Sequence, residues 1–164
     1  LIYLKIAKER PAFLSSKEEE TPNGAILEGM HFLCAEDNEL NAEILTELLK
    51  MKGAECTICE NGQKVVETFE QSVPGAYDMI LMDVQMPVMN GYDAARAIRR
   101  SLHKQAGTIP IIAMTANAFS EDIRHSLTAG MNAHISKPVD MMLLEKTIRS
   151  IKSGGGSETQ ADKE

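Results

Sequence analysis

Apolar residues recur along most of this chain in two alternating rhythms, short near-continuous runs and helical spacing. The alternation predicts strands followed by helices. HFLCA (31–35) reads as a first strand and delivers Glu36 and Asp37 at its end. Leu40, Ile44, Leu45 and Leu48 then recur at helical spacing, with Asn38 placed to cap the helix. ECTIC (55–59) is the second strand, and Asn61-Gly62 turns into a helix carrying Val65, Val66 and Phe69. From Tyr77 to Met82 the chain is almost continuously apolar, as suits a parallel strand buried on both faces. Asp83 follows, then turn residues Pro87, Asn90 and Gly91, then a helix with Ala95, Ile98 and Leu102 inward. PIIAM (110–114) is the fourth strand, ending at Thr115, and Ser120 is expected to cap a helix bearing Ile123 and Leu127 on one face. AHIS (133–136) is the fifth strand, ending at Lys137-Pro138, and Asp140 starts a helix with Leu144, Ile148 and Ile151 inward. Five strand–helix units in series predict an α/β fold with a doubly wound parallel sheet.

The flanks differ from this pattern. Ile2, Leu4 and Ile6 alternate with Tyr3 and Lys5 as in a strand, and Pro11, the charged run from Lys17 to Glu20 and Pro22-Asn23-Gly24 follow. Residues 1–28 are therefore expected to be a linker or the end of a preceding domain, 29–152 the folded domain, and 153–164 a flexible tail rich in Gly and Ser. A chain beginning at Leu1 rather than Met is expected to be a piece of a longer protein.

Composition narrows the function classes. With 43% hydrophobic and 25% charged residues, the 164-residue chain can bury an ordinary core. A net charge of −7 argues against a nucleic-acid groove, which needs clustered Lys and Arg. No apolar run approaches the roughly 18 residues of a membrane span, and Lys5 and Lys8 interrupt the only segment resembling a signal peptide. Three cysteines without a disulfide framework fit a reducing compartment, so the domain is expected in the cytoplasm, including the case of a membrane-anchored parent protein. Cys56 and Cys59 form a C-x-x-C, but strand geometry puts them on opposite faces and no second pair completes a zinc site.

The chemistry lies at the strand ends. Glu36-Asp37, Asp83, Thr115 and Lys137 end the first, third, fourth and fifth strands, the edge at which open α/β sheets bind ligands. Each alone reads as a cap, a turn residue or a solvated cation. Together, three carboxylates in one crevice repel and call for a cation, and an all-oxygen site of this size suits Mg²⁺. A metal, a lysine and a hydroxyl then leave a pocket complementary to a phosphoryl group on Asp83.

CAEDNELN, LMDVQMPVMNGYDAARAIR, MTANAF and AGMNAHISKPVD together resemble the receiver domains of two-component signalling, most of all those of hybrid sensor histidine kinases. The resemblance covers residues 29–152. It implies a flavodoxin-like sheet of strand order 2-1-3-4-5 and a phosphoaspartate at Asp83. It further implies Mg²⁺ held by Glu36, Asp37, Asp83 and the backbone carbonyl of Gln85, with Thr115 and Lys137 on the phosphoryl group. The implied partners are a histidine kinase domain or a histidine phosphotransfer protein, with no nucleic acid and no membrane contact by the domain. A cis Lys137-Pro138 bond is also implied. One departure stands out: the switch position, usually Tyr or Phe, is His134, which puts the aromatic in–out switch in doubt. Gln85 and Asn117, two residues beyond Asp83 and Thr115, border the family's water path and are uncharged, so slow hydrolysis is expected.

Two competing readings are available. A haloacid-dehalogenase-type phosphatase would need a second Asp two residues after the nucleophile, where this chain has Gln85. A pseudo-receiver would bind without being phosphorylated, and nothing in the acids, Thr115 or Lys137 favours it. In the receiver reading the domain catalyses only its own phosphorylation and dephosphorylation.

Overall fold

The structure, a computed structural model, describes residues 25–116 and 120–153. The strand suggested for residues 2–6, the linker before Ala25, the tail from residue 154 and Asn117 lie outside the described residues. Five strands are present: β1 (His31–Ala35), β2 (Glu55–Cys59), β3 (Met79–Asp83), β4 (Ile111–Thr115) and β5 (Ala133–Ser136). They alternate with α1 (Glu39–Met51), α2 (Gly62–Gln71), α3 (Gly91–Arg100), α4 (Ser120–Thr128) and α5 (Met141–Lys152). All neighbouring pairs are parallel and the order is β2-β1-β3-β4-β5, the doubly wound arrangement expected.

Two boundaries differ from the sequence expectation. β3 begins at Met79 rather than Tyr77 and includes Asp83, and β4 includes Thr115 while Pro110 lies outside it. Asp83 pairs with Met114 and Thr115 with Ser136, so these two side chains stand on the sheet itself rather than on loops beyond it. Pro110 has no N–H for the ladder and contributes only its carbonyl, which accepts from the Ile80 N–H at 2.9 Å.

The sheet separates two apolar layers. Val65, Val66 and Phe69 of α2 and Ala94, Ala95 and Ile98 of α3 pack on Leu33, Ile80, Met82 and Ile111. On the other face Leu45 and Leu49 of α1 and Leu144 and Ile148 of α5 pack on Phe32, Leu81 and Ile112. Each fully buried side chain of this size is worth about 1.5–3 kcal/mol, so both layers are needed to hold the strand ends in place. In α1 Leu45 of the expected stripe is buried and Leu49 joins it, whereas Leu40 (64%) and Ile44 (49%) are exposed. Leu102 lies beyond the end of α3 and is fully exposed, and Leu127 of α4 is also exposed. Cys56 packs in the α1/α5 layer and Cys59 in the α2/α3 layer, on opposite faces as strand geometry requires.

Helix starts follow the sequence closely. Asn38, Asn61, Asn90 and Asp140 each accept a hydrogen bond from a first-turn backbone N–H. Ser120, expected as a cap, is instead the first residue of α4.

Candidate functional site

Because all five strands run the same way, their carboxyl ends meet along one edge, and the expected acids and lysine meet there. Glu36, Asp37 and Asp83 bring one carboxylate oxygen each to within 4.8 Å of one another. Glu36 and Asp83 are both only 4% exposed, while Asp37 is open to solvent. Lys137 Nζ lies 3.0 Å from Asp83 Oδ2 and 3.2 Å from Glu36 Oε1, bridging the two buried acids. Glu36 Oε2 also accepts from the Asn38 N–H at 3.3 Å, which ties the acid to the start of α1. Lys137 is set by β5, where its backbone N–H donates to the Thr115 carbonyl at 2.9 Å, and its bond to Pro138 is cis, as the family resemblance implied.

The electrostatics follow from this crowding. Burial raises the Asp83 pKa above the ordinary carboxylate value; Glu36 and Asp37 push the same way, and the Lys137 hydrogen bond and charge oppose them. Burial works against the charge of Lys137, but its contacts with Asp83 and Glu36 outweigh that, and its pKa ends raised. One lysine thus faces a buried pair of acids with a third beside it, an acidic excess that a divalent cation would neutralise. The donor set, carboxylates alone with solvent access on the Asp37 side, fits Mg²⁺.

A cleft of about 380 Å³ opens beside Asp83, lined by Val84, Gln85, Met86, Asn90, Tyr92, Thr115 and Ala116. Thr115 is buried at its rim. Gln85 sits in the loop from Val84 to Asn90, whose base is closed by the Gly91 N–H on the Val84 carbonyl at 2.8 Å. His134 is not among the clustered groups: it is half-buried on β5 opposite Ala113, on the face away from Ala133 and Ile135. Burial lowers its pKa.

Two residues of this region, Gly62 and Gly91, stand in the sequence only as turn formers. A Cβ on Gly91 would collide with the Asp83 carbonyl oxygen, and a Cβ on Gly62 with the Met89 carbonyl oxygen. The signal was present as two Asn-Gly pairs, 61–62 and 90–91, each made of a cap and a residue that must lack a side chain.

With this geometry established, similarity to known proteins identifies the class. Residues 32–149 match the family model described as response regulator receiver domain. The chain is 34% identical over 148 residues to "Probable histidine kinase 2" of Oryza sativa subsp. indica, covering 84% of this chain and 14% of that protein's length. Among solved structures it resembles the receiver domain of the histidine kinase CKI1 from Arabidopsis thaliana complexed with Mg²⁺ and BeF3⁻. There the TM-score is 0.69 with 31% identity over 80% of this chain and 95% of the other. It also resembles the complex of the Saccharomyces cerevisiae histidine phosphotransfer protein Ypd1 with the receiver domain of the response regulator Ssk1. That match has a TM-score of 0.65 with 32% identity, over 74% of this chain and 87% of the other. The chain belongs to the response regulator receiver domain family of two-component signalling.

Proposed function

We propose that Asp83 is the phosphoryl acceptor of this receiver, and that the domain belongs to a hybrid sensor histidine kinase. The observation that carries the reading is the convergence of Glu36, Asp37 and Asp83 within 4.8 Å, with Lys137 bridging Asp83 and Glu36. In the reaction an Asp83 carboxylate oxygen attacks the phosphorus of a phosphohistidine. The N–P bond breaks, the imidazole leaves with the bonding pair and takes a proton, and an acyl phosphate forms on Asp83. Lys137 moves its charge onto a phosphoryl oxygen, and the Thr115 hydroxyl donates to another from the rim of the cleft. Glu36, Asp37, Asp83 and the Gln85 backbone carbonyl would hold Mg²⁺, which when bound supplies charge neutralisation at the transferring group. Gln85 and Asn117 offer no group that titrates as a general base, so the acyl phosphate is long-lived. His134 takes the switch position as a weak relay.

The phosphodonor is a histidine kinase domain or a histidine phosphotransfer protein, a reading supported by the receiver complex with Ypd1 and by the kinase relatives. Residues 1–28 then join the receiver at 29–152 to a kinase ATP-binding domain, residues 153–164 form a tail, and the receiver works in the cytoplasm. No helix among the described residues is long and apolar enough to cross a membrane. Gln85 at the second position after Asp83 leaves a haloacid-dehalogenase-type phosphatase without its acid/base group.

Incubation with acetyl phosphate, and with a phosphorylated histidine phosphotransfer protein, tests the proposal. Label should appear on Asp83 in Mg²⁺ and disappear in excess EDTA; equal labelling in EDTA means the site is misread. Fluoroberyllate with Mg²⁺ should shift the amides lining the cleft, whereas a pseudo-receiver would not respond.

A further inference from the structure

Four of the seven glycines among the described residues are explained by their own backbone: Gly29, Gly53, Gly75 and Gly130 have φ between 81 and 98°. Gly62 is different. It lies at the first position of α2 with no positive φ, so nothing in its own conformation requires glycine. Alanine would be the better helix former there. What requires glycine is the approach of another segment. The Met89 carbonyl oxygen occupies the place of a Cβ, with the Asn90 carbonyl oxygen and the Ala94 methyl both 3.1 Å from it. The Gly62 N–H, one of the orphan donors of a helix start, donates to that Met89 carbonyl at 3.1 Å.

Met89 belongs to the loop that carries Gln85. At its base the loop is closed by Gly91 on Val84, and at its outer end a tight three-residue turn runs from Pro87 to Met89, with the Met89 N–H 2.6 Å from the Pro87 oxygen. Val88 at the centre of that turn has φ 69°, a region that a β-branched residue occupies only under strain. Its side chain is 78% exposed, so packing does not hold it there. The restraint therefore comes from the backbone on either side, and among the described residues the Gly62–Met89 backbone hydrogen bond reaches the turn from outside the loop.

We propose that Gly62 is a positioning residue of the site: the side-chain-free start of α2 docks the loop at Met89 and so sets where the Gln85 carbonyl stands relative to Asp83. The inference rests on the reading of that carbonyl as a metal ligand. Its action is through the loop, since Gly62 itself touches none of the acids. A methyl group at residue 62 pushes Met89 outward, and the displacement passes along a loop pinned at its other end by Gly91. The consequence is a metal site with its carboxylates intact and its carbonyl misplaced.

The experiment is a Mg²⁺ titration, followed by amide shifts and calorimetry, on the full chain and on Gly62→Ala and Gly53→Ala. Gly53 has φ 84° and follows α1 at the opposite edge of the sheet, so alanine there strains the backbone without approaching the acids. Gly62→Ala should weaken Mg²⁺ about tenfold, the scale found for lost outer supports of a metal site. Gly53→Ala should lose stability and keep the parent affinity. Equal Mg²⁺ affinity in Gly62→Ala and the parent overturns the proposal, as does an equal loss in Gly53→Ala. If the parent chain itself fails to bind Mg²⁺, the ligand reading falls first and takes this inference with it. Should Gly62→Ala not fold, hydrogen exchange on the parent decides. Coupling is reciprocal, so Mg²⁺ must slow exchange of the Gly62 amide more than that of Lys64, which donates to the Asn61 side chain of the same turn. Equal slowing of the two amides overturns the proposal.

Discussion

The two edges of the sheet use charge withdrawn from solvent in opposite ways, half-buried at one edge and buried at the other. At the amino edge, Arg99 donates to the carbonyls of Gly130, Ala106 and Ile109 and to Asn132 Oδ1, at 2.8–3.0 Å. Asn132 Oδ1 also accepts from the Ile111 N–H, and Asp78 Oδ2 from the His31 N–H. Each polar group there ends on a backbone partner, and the result is a staple across α3, β4 and the turn into β5. At the carboxyl edge three acids share one lysine. Burial raises the pKa of Asp83, so the fold is holding a carboxylate where its charge is costly. One edge stabilises; the other stores an electrostatic demand that a cation and a phosphoryl group can meet.

The largest effect that would separate the edges is the loss of Asp83, the proposed acceptor. Asp83→Asn should abolish phosphoryl labelling by acetyl phosphate completely. It should also leave the metal-free domain at least as resistant to urea as the parent, because the buried charge facing Glu36 and Asp37 is gone. If the variant unfolds at clearly lower urea, the carboxyl edge is stabilising after all and the contrast fails. Arg99→Ala is the mirror experiment. It should cost about 3 kcal/mol in urea denaturation, since it strips a charged donor from four acceptors. Labelling of Asp83 in saturating Mg²⁺ should be unchanged below the unfolding transition. A variant that folds normally but labels poorly would mean that the edges are coupled.

Mg²⁺ itself sharpens the comparison. At a hundredfold excess over its dissociation constant it should add about 2.7 kcal/mol of stability by mass action. Asp37→Asn, which removes the exposed member of the cluster, should lose most of that gain while leaving metal-free stability within about 0.5 kcal/mol of the parent. Arg99→Ala should keep the whole gain. Denaturation with and without Mg²⁺ on the three chains measures each number.

The carboxyl edge was legible in the sequence because its logic is local: each of Glu36-Asp37, Asp83, Thr115 and Lys137 directly follows or ends a short apolar run, and parallel strands align those ends. The amino edge was not. Arg99 sits among Arg96 and Arg100 with nothing to mark it, and its four partners lie from 7 to 33 residues away. A staple made mostly to backbone carbonyls leaves no residue-type signature. In α1 the apolar residues Leu40, Ile44, Leu45, Leu48 and Leu49 cover more than one face, so periodicity alone allowed two stripes. Tertiary packing selected the one containing Leu45 and Leu49 and left Leu40 and Ile44 on the surface. Gly62 and Gly91 were visible only as turn formers, because a close approach by a distant carbonyl is a property of the folded chain.

The smallest expected effect concerns His134, which belongs to neither edge. It stands on β5 three residues before Lys137, half-buried, where a family switch would carry a larger ring. An imidazole buries less apolar area than Tyr or Phe, so its inward and outward positions differ less in packing energy. Burial holds its folded pKa below the ordinary 6.5. The sign then follows from linkage: as pH falls through about 6.5 the unfolded chain takes up the proton first, so the domain loses stability over the interval down to the lower folded value. His134→Ala should remove that part of the acid slope and change stability at pH 7.5 by no more than about 1 kcal/mol. It should also leave most of the fluoroberyllate-induced amide shifts on α4, β5 and α5 in place, the changes around Asp83 and Thr115 being their main source. Urea denaturation at pH 5.5 and 7.5 reads the first expectation and amide spectra the second. If His134→Ala erases the response of that surface while Mg²⁺ still binds, the imidazole is a full switch, and the signal leaves the carboxyl edge through β5 rather than through its loops.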